Sequence, residues 1–224
     1  MSKIKVDKDK LKKISDVVKQ AESKTSGEIA TAIIKQSDNY AYNELLFSII
    51  SGFVYFMTIM IFSSQIERII QSMFWEYRPE YFIGFMGLSI FIVIGAFYLL
   101  SNIPAIDRLI IPKKTRIEKV NQRALRYFTE SGVYDTRDRT GILIFISTLE
   151  QRVELIADKG INEKIEQKEW NDIVENIVSG LKHGNWVDKL SESITRCGTL
   201  LEKHFPIKDD DKNELKDELV VLEK

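Results

Sequence analysis

One cysteine in 224 residues, Cys197, has no partner for a disulfide within the chain and cannot build a cysteine-rich zinc site. Two histidines, His183 and His204, stand 21 positions apart with no further ligand types clustered around them, so they read as a loop and a capping histidine. Net charge is only −1, and no basic patch interleaves with aromatics, which excludes nucleic acid as a partner. The first ten residues, MSKIKVDKDK, alternate in charge and have no apolar stretch or small-residue cleavage site. They are not a secretory signal, and the segment ahead of the first apolar run is expected to stay on the side where it is made.

Charged residues are plentiful overall, at 29%, yet they vanish twice. From Leu45 to Phe62 (LLFSIISGFVYFMTIMIF) and from Phe82 to Leu100 (FIGFMGLSIFIVIGAFYLL) there is no Asp, Glu, Lys or Arg. A hydrocarbon core about 30 Å thick takes roughly 20 helical residues, so each run is long enough to span it. Both runs are apolar on every face, and the rest of the chain has too little mass to bury two such helices. Tyr40, Tyr42, Trp75, Tyr77, Tyr81 and Tyr98 lie at or near their ends, where amphipathic rings favour the interface. A pair of transmembrane helices forming a hairpin over 45–100, with the lipid bilayer as first partner, is the expectation.

Lysine and arginine set the direction. The loop between the runs carries Arg68 and Arg78, whereas the outer flanks carry Lys24, Lys35, Arg108, Lys113, Lys114, Arg116 and Lys119. Seven against two puts both termini in the cytoplasm. The loop itself (SSQIERIIQSMFWEYRPEY) is apolar and aromatic, as expected of a short amphipathic helix along the outer surface. Gly52, Gly84, Gly87 and Gly95 offer room for close helix contact, although no GxxxG occurs. Without a charged group inside either run, a transporter or proton relay is not expected.

The flanking sequence reads as one α/β domain split by the hairpin, comprising 7–36 and 112–206. Leu11, Ile14, Val17, Val18 and Ala21 recur at helical spacing behind an N-cap at Asp7 or Asp9. Glu28-Ile-Ala-Thr-Ala-Ile-Ile34 reads as a strand. A helix is expected from about Pro112 or Thr115 to Glu130, with Ile117, Val120, Ala124, Leu125 and Phe128 inward. GILIFIS, from Gly141 to Ser147, suits a central strand. After a turn at 148–151, Arg152 to Ala157 alternates as the second arm of a β-hairpin. Helices from about Gln167 to Lys182 and from Trp186 to His204 follow, with Trp170 and Trp186 as core anchors and Cys197 as a small core residue. The strand at Glu28 cannot stand alone, so it is expected to pair with Gly141–Ser147 in a three-layer α/β/α sandwich.

The chain leaves the first strand for the bilayer within about ten residues, so that strand end faces the membrane. If the second strand runs parallel, the opposite, membrane-distal edge gathers Gly27 and Glu28, the Asp135–Thr140 stretch with Asp138 and Arg139, and Asp158-Lys-Gly160.

At these residues the chain resembles the TPM-domain family. The matching features are Thr25-Ser-Gly-Glu-Ile29, the hairpin Gly141-Ile-Leu-Ile-Phe with Arg152-Val-Glu-Leu-Ile-Ala-Asp158-x-Gly160-Ile161, and a helical pair ending in His204-Phe-Pro206. It is most similar to bacterial inner-membrane members with a two-span insertion and a C-terminal Asn-Glu-Leu, here Asn213-Glu-Leu215. The resemblance covers 7–36 and 115–222. It implies the α/β/α sandwich. It also implies either divalent-metal binding with phosphatase activity, as linked to plant members, or an accessory or assembly role.

Two functional readings stay open. In the first, Glu28 and Asp158 supply oxygen ligands for Ca²⁺ or Mg²⁺ and Arg139 holds an anionic oxygen, as in a metal-assisted phosphatase or phosphate-binding domain. Against it, the chain has no Cys-x5-Arg loop, P-loop or Asp-x-Asp after a strand, and Asp135 and Asp138 look like turn formers. In the second, favoured reading the chain is a tethered interaction module for another membrane protein. The tail over 207–224 carries four lysines against seven acidic residues and ends in Leu219-Val-Val-Leu222. It is either a solvated tail or a docking peptide whose apolar end packs on the domain or on a partner. The lysines from Lys3 to Lys13 form a solvated face, or one that touches anionic headgroups.

Overall fold

In a computed structural model of the protein, residues 7–208 and 213–223 are described. Lys3 and Lys5 of the basic N-terminus, and Lys224, lie outside them. The chain forms two compact units: one contains the described residues up to Asp38 and from Lys114 onward, the other is Asn39–Lys113.

The first unit begins with α1 (Lys8–Glu22), capped by Asp7, whose side chain accepts the N–H of Lys10. Then come β1 (Glu28–Ile34) and, beyond the second unit, the helix later numbered α6 (Lys113–Glu130). After a short turn at Val133–Asp135 follow β2 (Gly141–Ser147) and β3 (Arg152–Ala157). The three strands have the bounds that their apolar patterns predict. A four-residue helical turn (Lys159–Asn162) leads to two long helices, Gln167–His183 and Trp186–His204. A final strand, β4 (Val220–Leu222), comes from the tail.

The sheet order is β3-β2-β1-β4. β1 pairs parallel with β2, Glu28 opposite Gly141 and Ile34 opposite Ser147, and parallel with β4, Ala32 opposite Val220. β2 and β3 make the expected antiparallel hairpin, with Ile142 opposite Ala157. Side chains alternate across a strand, so the sheet has two apolar faces. On one, Ile29, Ile33, Ile142, Ile144, Ile146 and Val153 meet Ile14 and Val18 of α1 and the inward residues of the two long helices, including Trp170, Trp186 and Cys197. On the other, Ala32, Ile34, Leu143 and Phe145 meet Val120 and Ala124 of α6 together with Val133. β2 is buried at every position, which is why its sequence is a continuous apolar run rather than an alternating one. Helices cover both faces, giving the α/β/α sandwich.

The second unit holds α2 (Ala41–Ile61), α3 (Ser63–Met73), α4 (Pro79–Ser101) and α5 (Pro104–Ile110). α2 and α4, of 21 and 23 residues, are long and apolar enough to cross a membrane. They run antiparallel: Phe47 meets Phe97 edge-on with ring centroids 5.9 Å apart, and Gly52 faces Ile94. A Cβ at Gly52 would lie 2.5 Å from Ile94 Cγ1, so this glycine sets the closest approach of the pair. Gly84, Gly87 and Gly95 face open space, and of the four glycines only Gly52 serves helix contact. The connecting α3 is the short amphipathic helix that the loop sequence predicts, followed by a fully exposed Trp75 and a Phe74–Tyr81 ring contact at 4.7 Å. We number the four-residue turn after β3 as α7, and the two long helices as α8 and α9.

Candidate functional site

The parallel pairing of β1 with β2 brings the starts of both strands and the end of β3 to one edge of the sheet. Glu28 stands beside Gly141, and the carbonyl of Gly141 accepts the N–H of Asp158 at 2.9 Å. Thr140 closes the corner: its carbonyl accepts the N–H of Glu28 at 3.1 Å, and its hydroxyl donates to the Ser26 carbonyl at 2.9 Å. Gly141 can only be glycine here, because a Cβ would collide with the backbone carbonyl of Val133. The residues that the sequence assigns to this edge are therefore neighbours in the fold.

They do not converge on a common centre. Glu28 and Asp158 sit on strands two positions apart in the sheet, about 10 Å between backbones at the usual strand spacing. Glu28 is buried, and its oxygens accept the backbone N–H groups of Glu214 at 3.2 Å and Leu215 at 3.3 Å. Asp158 caps α7, one oxygen accepting the N–H of Lys159 at 2.6 Å. Its other oxygen is shielded from solvent and has no hydrogen-bond donor. Arg139 lies at φ +55°, a left-handed conformation that ends the turn into β2. Its guanidinium donates to the Tyr134 carbonyl at 2.6 Å and stands 5.8 Å over the Tyr134 ring. Arg139, Asp158, Lys159, Gly160 and Glu163 line a shallow open cleft. Among the described residues, no group of three or more histidine, cysteine or carboxylate side chains could hold a metal ion. Among the described residues, Glu28 and Asp158 by themselves do not supply the several converging oxygens that a Ca²⁺ or Mg²⁺ site calls for.

What covers the edge is the tail. Thr25 and Pro206 form an antiparallel bridge, and Ser26 N–H donates to the Phe205 carbonyl at 3.1 Å. Lys208 pairs with Asp138 at 2.8 Å, and this ammonium holds the Asp138 carboxyl below its ordinary range. Glu214 accepts the N–H of Arg137 at 2.9 Å. Leu215 and Leu222 pack on the α6 face, Leu219 is buried in the opposite core, and β4 extends the sheet. Of the two readings of the tail, the structure has the docked one, on its own domain.

Sequence reasoning missed three carboxylates in this cover. Glu22, at the end of α1, accepts the Ile29 N–H at 2.7 Å, and burial above all pushes it up to about 9. Asp217, which accepts from Asn213 at 2.6 Å, and Glu214 complete the group. No local pattern marks them; they matter because the tail returns to β1. At the other end of the sheet a polar staple also escaped notice. Ser37 Oγ donates to Ser147 Oγ at 2.9 Å, Ser147 donates to the Glu150 carboxylate, and Glu150 accepts the Ser37 N–H at 3.0 Å. It ties the exit of β1 to the β2–β3 turn. Cys197 is a core residue, with burial pushing its thiol up to about 12. His183 bonds back to Ser179 at the end of α8.

Comparison with known proteins fits this architecture. The family model described as the TPM domain matches residues 107–200, from α5 to α9 and thus β2 and β3, while α1, β1 and the tail strand lie outside the match. No curated protein gives a significant match. Among solved structures, the chain is similar to the BA42 protein of the psychrophilic bacterium Bizionia argentinensis, determined by NMR. The identity is 21% over 99% of this chain and 100% of that one, with a TM-score of 0.58, a likeness of fold. Residues 107–200 are thus similar to the TPM domain, and the fold is shared with the Bizionia protein.

Proposed function

We propose that the chain is a membrane-anchored TPM domain that serves as an accessory, assembly or interaction module for another membrane protein. The anchor is a hairpin of α2 and α4 in a bacterial inner membrane, with both termini cytoplasmic. Support for the anchor comes from the two long apolar helices, whose outward side chains are almost all hydrocarbon or aromatic, and from the lysine and arginine bias of the flanks. The observation that carries the module reading is the engagement of Glu28. Its carboxylate is spent on two tail amides, and the nearest candidate co-ligand, Asp158, is committed to a helix cap. Such an edge suits a binding surface rather than a metal centre.

A second reading, a divalent-metal-dependent phosphatase or phosphate-binding domain, draws on the unpartnered Asp158 oxygen beside Arg139 and Lys159. Hydrolysis of a generic phosphomonoester by the full-length protein in detergent, with and without Ca²⁺ or Mg²⁺, separates the two. The module reading expects no metal-dependent turnover above an Asp158→Asn control. Metal-dependent turnover that disappears in that variant would establish the enzyme reading instead.

A further inference from the structure

The end of α1 and the tail bring two acids together, Glu22 and Asp217. Glu22 uses one oxygen to accept the Ile29 N–H at 2.7 Å, while its Oε2 is cut off from solvent without any donor. The group facing it within hydrogen-bonding reach is the Asp217 carboxyl, itself only 10% exposed. Asp217 is oriented by Asn213, which donates to Oδ1 at 2.6 Å, and Lys19 approaches Oδ2 at 3.9 Å. From β1, Glu28 adds a third negative group. Of the charged groups acting on Glu22, Glu28 and Asp217 both oppose its ionisation.

Two ionised carboxylates in such contact repel, and the isolated Glu22 oxygen would remain a buried acceptor without a donor. One proton resolves both problems. Placed on Glu22 Oε2, it makes an O–H donor to the Asp217 carboxylate, a charge-assisted bond of the stronger kind. We propose that Glu22 and Asp217 share a single proton, and that this proton is the latch holding residues 213–222 on the β1 edge. Burial together with Glu28 and Asp217 pushes Glu22 up to about 9, so the latch is closed at neutral pH. Loss of the proton leaves Glu22 and Glu28 negative on the domain side, facing the negative Asp217 of the tail, and the segment is repelled from the sheet.

The consequence is a controlled edge. While the latch is closed, the tail amides occupy the Glu28 carboxylate and β4 occupies the outer side of β1. When it opens, a row of β1 backbone donors and acceptors and the Glu28 carboxylate become available together. Release of the tail is thus proton-linked, independently of whether the domain is a module or an enzyme.

The test uses the full-length protein in detergent with a nitroxide on Val221→Cys, an exposed position on β4, Cys197 being buried and inert. Spectral mobility is followed from pH 6 to pH 10.5, with helix content recorded alongside. The proposal expects an immobile label at pH 7 and a mobile one at high pH, with a midpoint near 9, while helix content is unchanged. Glu22→Gln keeps an acceptor for Ile29 and a neutral donor for Asp217, so its label must stay immobile throughout; Asp217→Asn must likewise lose the midpoint or move it by more than one pH unit. An unchanged midpoint in both variants, or an immobile label in the parent protein up to pH 10.5, overturns the latch.

Discussion

The carboxylate of Glu28, at the first position of β1, accepts the backbone N–H of Leu215 from 187 residues further along the chain. This contact ties the earliest strand to the last described segment. The tail is part of the domain, and its removal has a cost that can be measured. Leu219 is 3% exposed in the core shared by α1 and α9. Leu219→Ala is expected to lower stability by about 2–5 kcal/mol, the range for emptying a buried leucine site. Deletion of 207–224 should lower the melting temperature further, read by differential scanning calorimetry of the full-length protein against the truncated one. An unchanged melting temperature would mean that the tail is free.

Glu22 gives stability a pH dependence with a definite sign. Its folded value, about 9, is above its ordinary 4.5, so the folded state holds a proton that the unfolded state releases. The stability associated with it is complete below pH 4.5 and is lost as pH rises through about 9. Glu22→Gln, which never ionises, should flatten this decline and be more stable than the parent at pH 8. Urea midpoints at pH 5, 7 and 8.5 report it; parallel curves for the two proteins would contradict the assignment.

Gly141 is the steric hinge pin of the edge. A methyl group there meets the Val133 carbonyl, which belongs to backbone and cannot step aside. Gly141→Ala is expected to cost about 3 kcal/mol or more, at the upper end of overpacking effects. Thermal melts check this, with Gly184→Ala as comparison, where strain comes from φ +83° rather than a clash.

Asp158 contributes first as a cap. Asp158→Ala should destabilise by about 1 kcal/mol, the usual cost of losing an N-cap, whereas Asp158→Asn should be close to neutral. Chemical denaturation distinguishes the pair. Equal losses in both variants would give the ionised charge, rather than the cap, the structural role.

In the hairpin, Gly52 has the closest contact. Gly52→Leu forces α2 away from Ile94, whereas Gly87→Leu projects into open space. Distances between nitroxides on the two helices should lengthen by several ångström in the first variant and stay fixed in the second.

Much of this was legible in sequence where the signal is local. The continuous run from Gly141 to Ser147 and the alternation from Arg152 to Ala157 define β2 and β3, because burial on two faces and on one face leave different periods. The pairing of β1 with β2 follows from the need of a lone strand for a partner. β4 was not legible: three residues in a charged tail have no strand signal of their own, and their partner is on the far side of the insertion. The parallel pairing that puts Glu28, Arg139 and Asp158 along one sheet edge was legible, but their separate engagements were hidden. Those depend on the return of the tail and on a cap, as does the burial of Glu22 against Asp217.

The central claim, a membrane-anchored module serving another membrane protein, is tested most directly by photo-crosslinking in native membranes. A photoreactive residue is placed at Phe91 or Ile92 on the outward face of α4, and in parallel at Lys159 on the sheet edge. The account predicts one discrete heterologous product containing the same membrane protein from at least one α4 position, retained after a stringent wash and absent without irradiation. Adducts to lipid alone, with copies of the chain itself as the only protein product at every position, would contradict it.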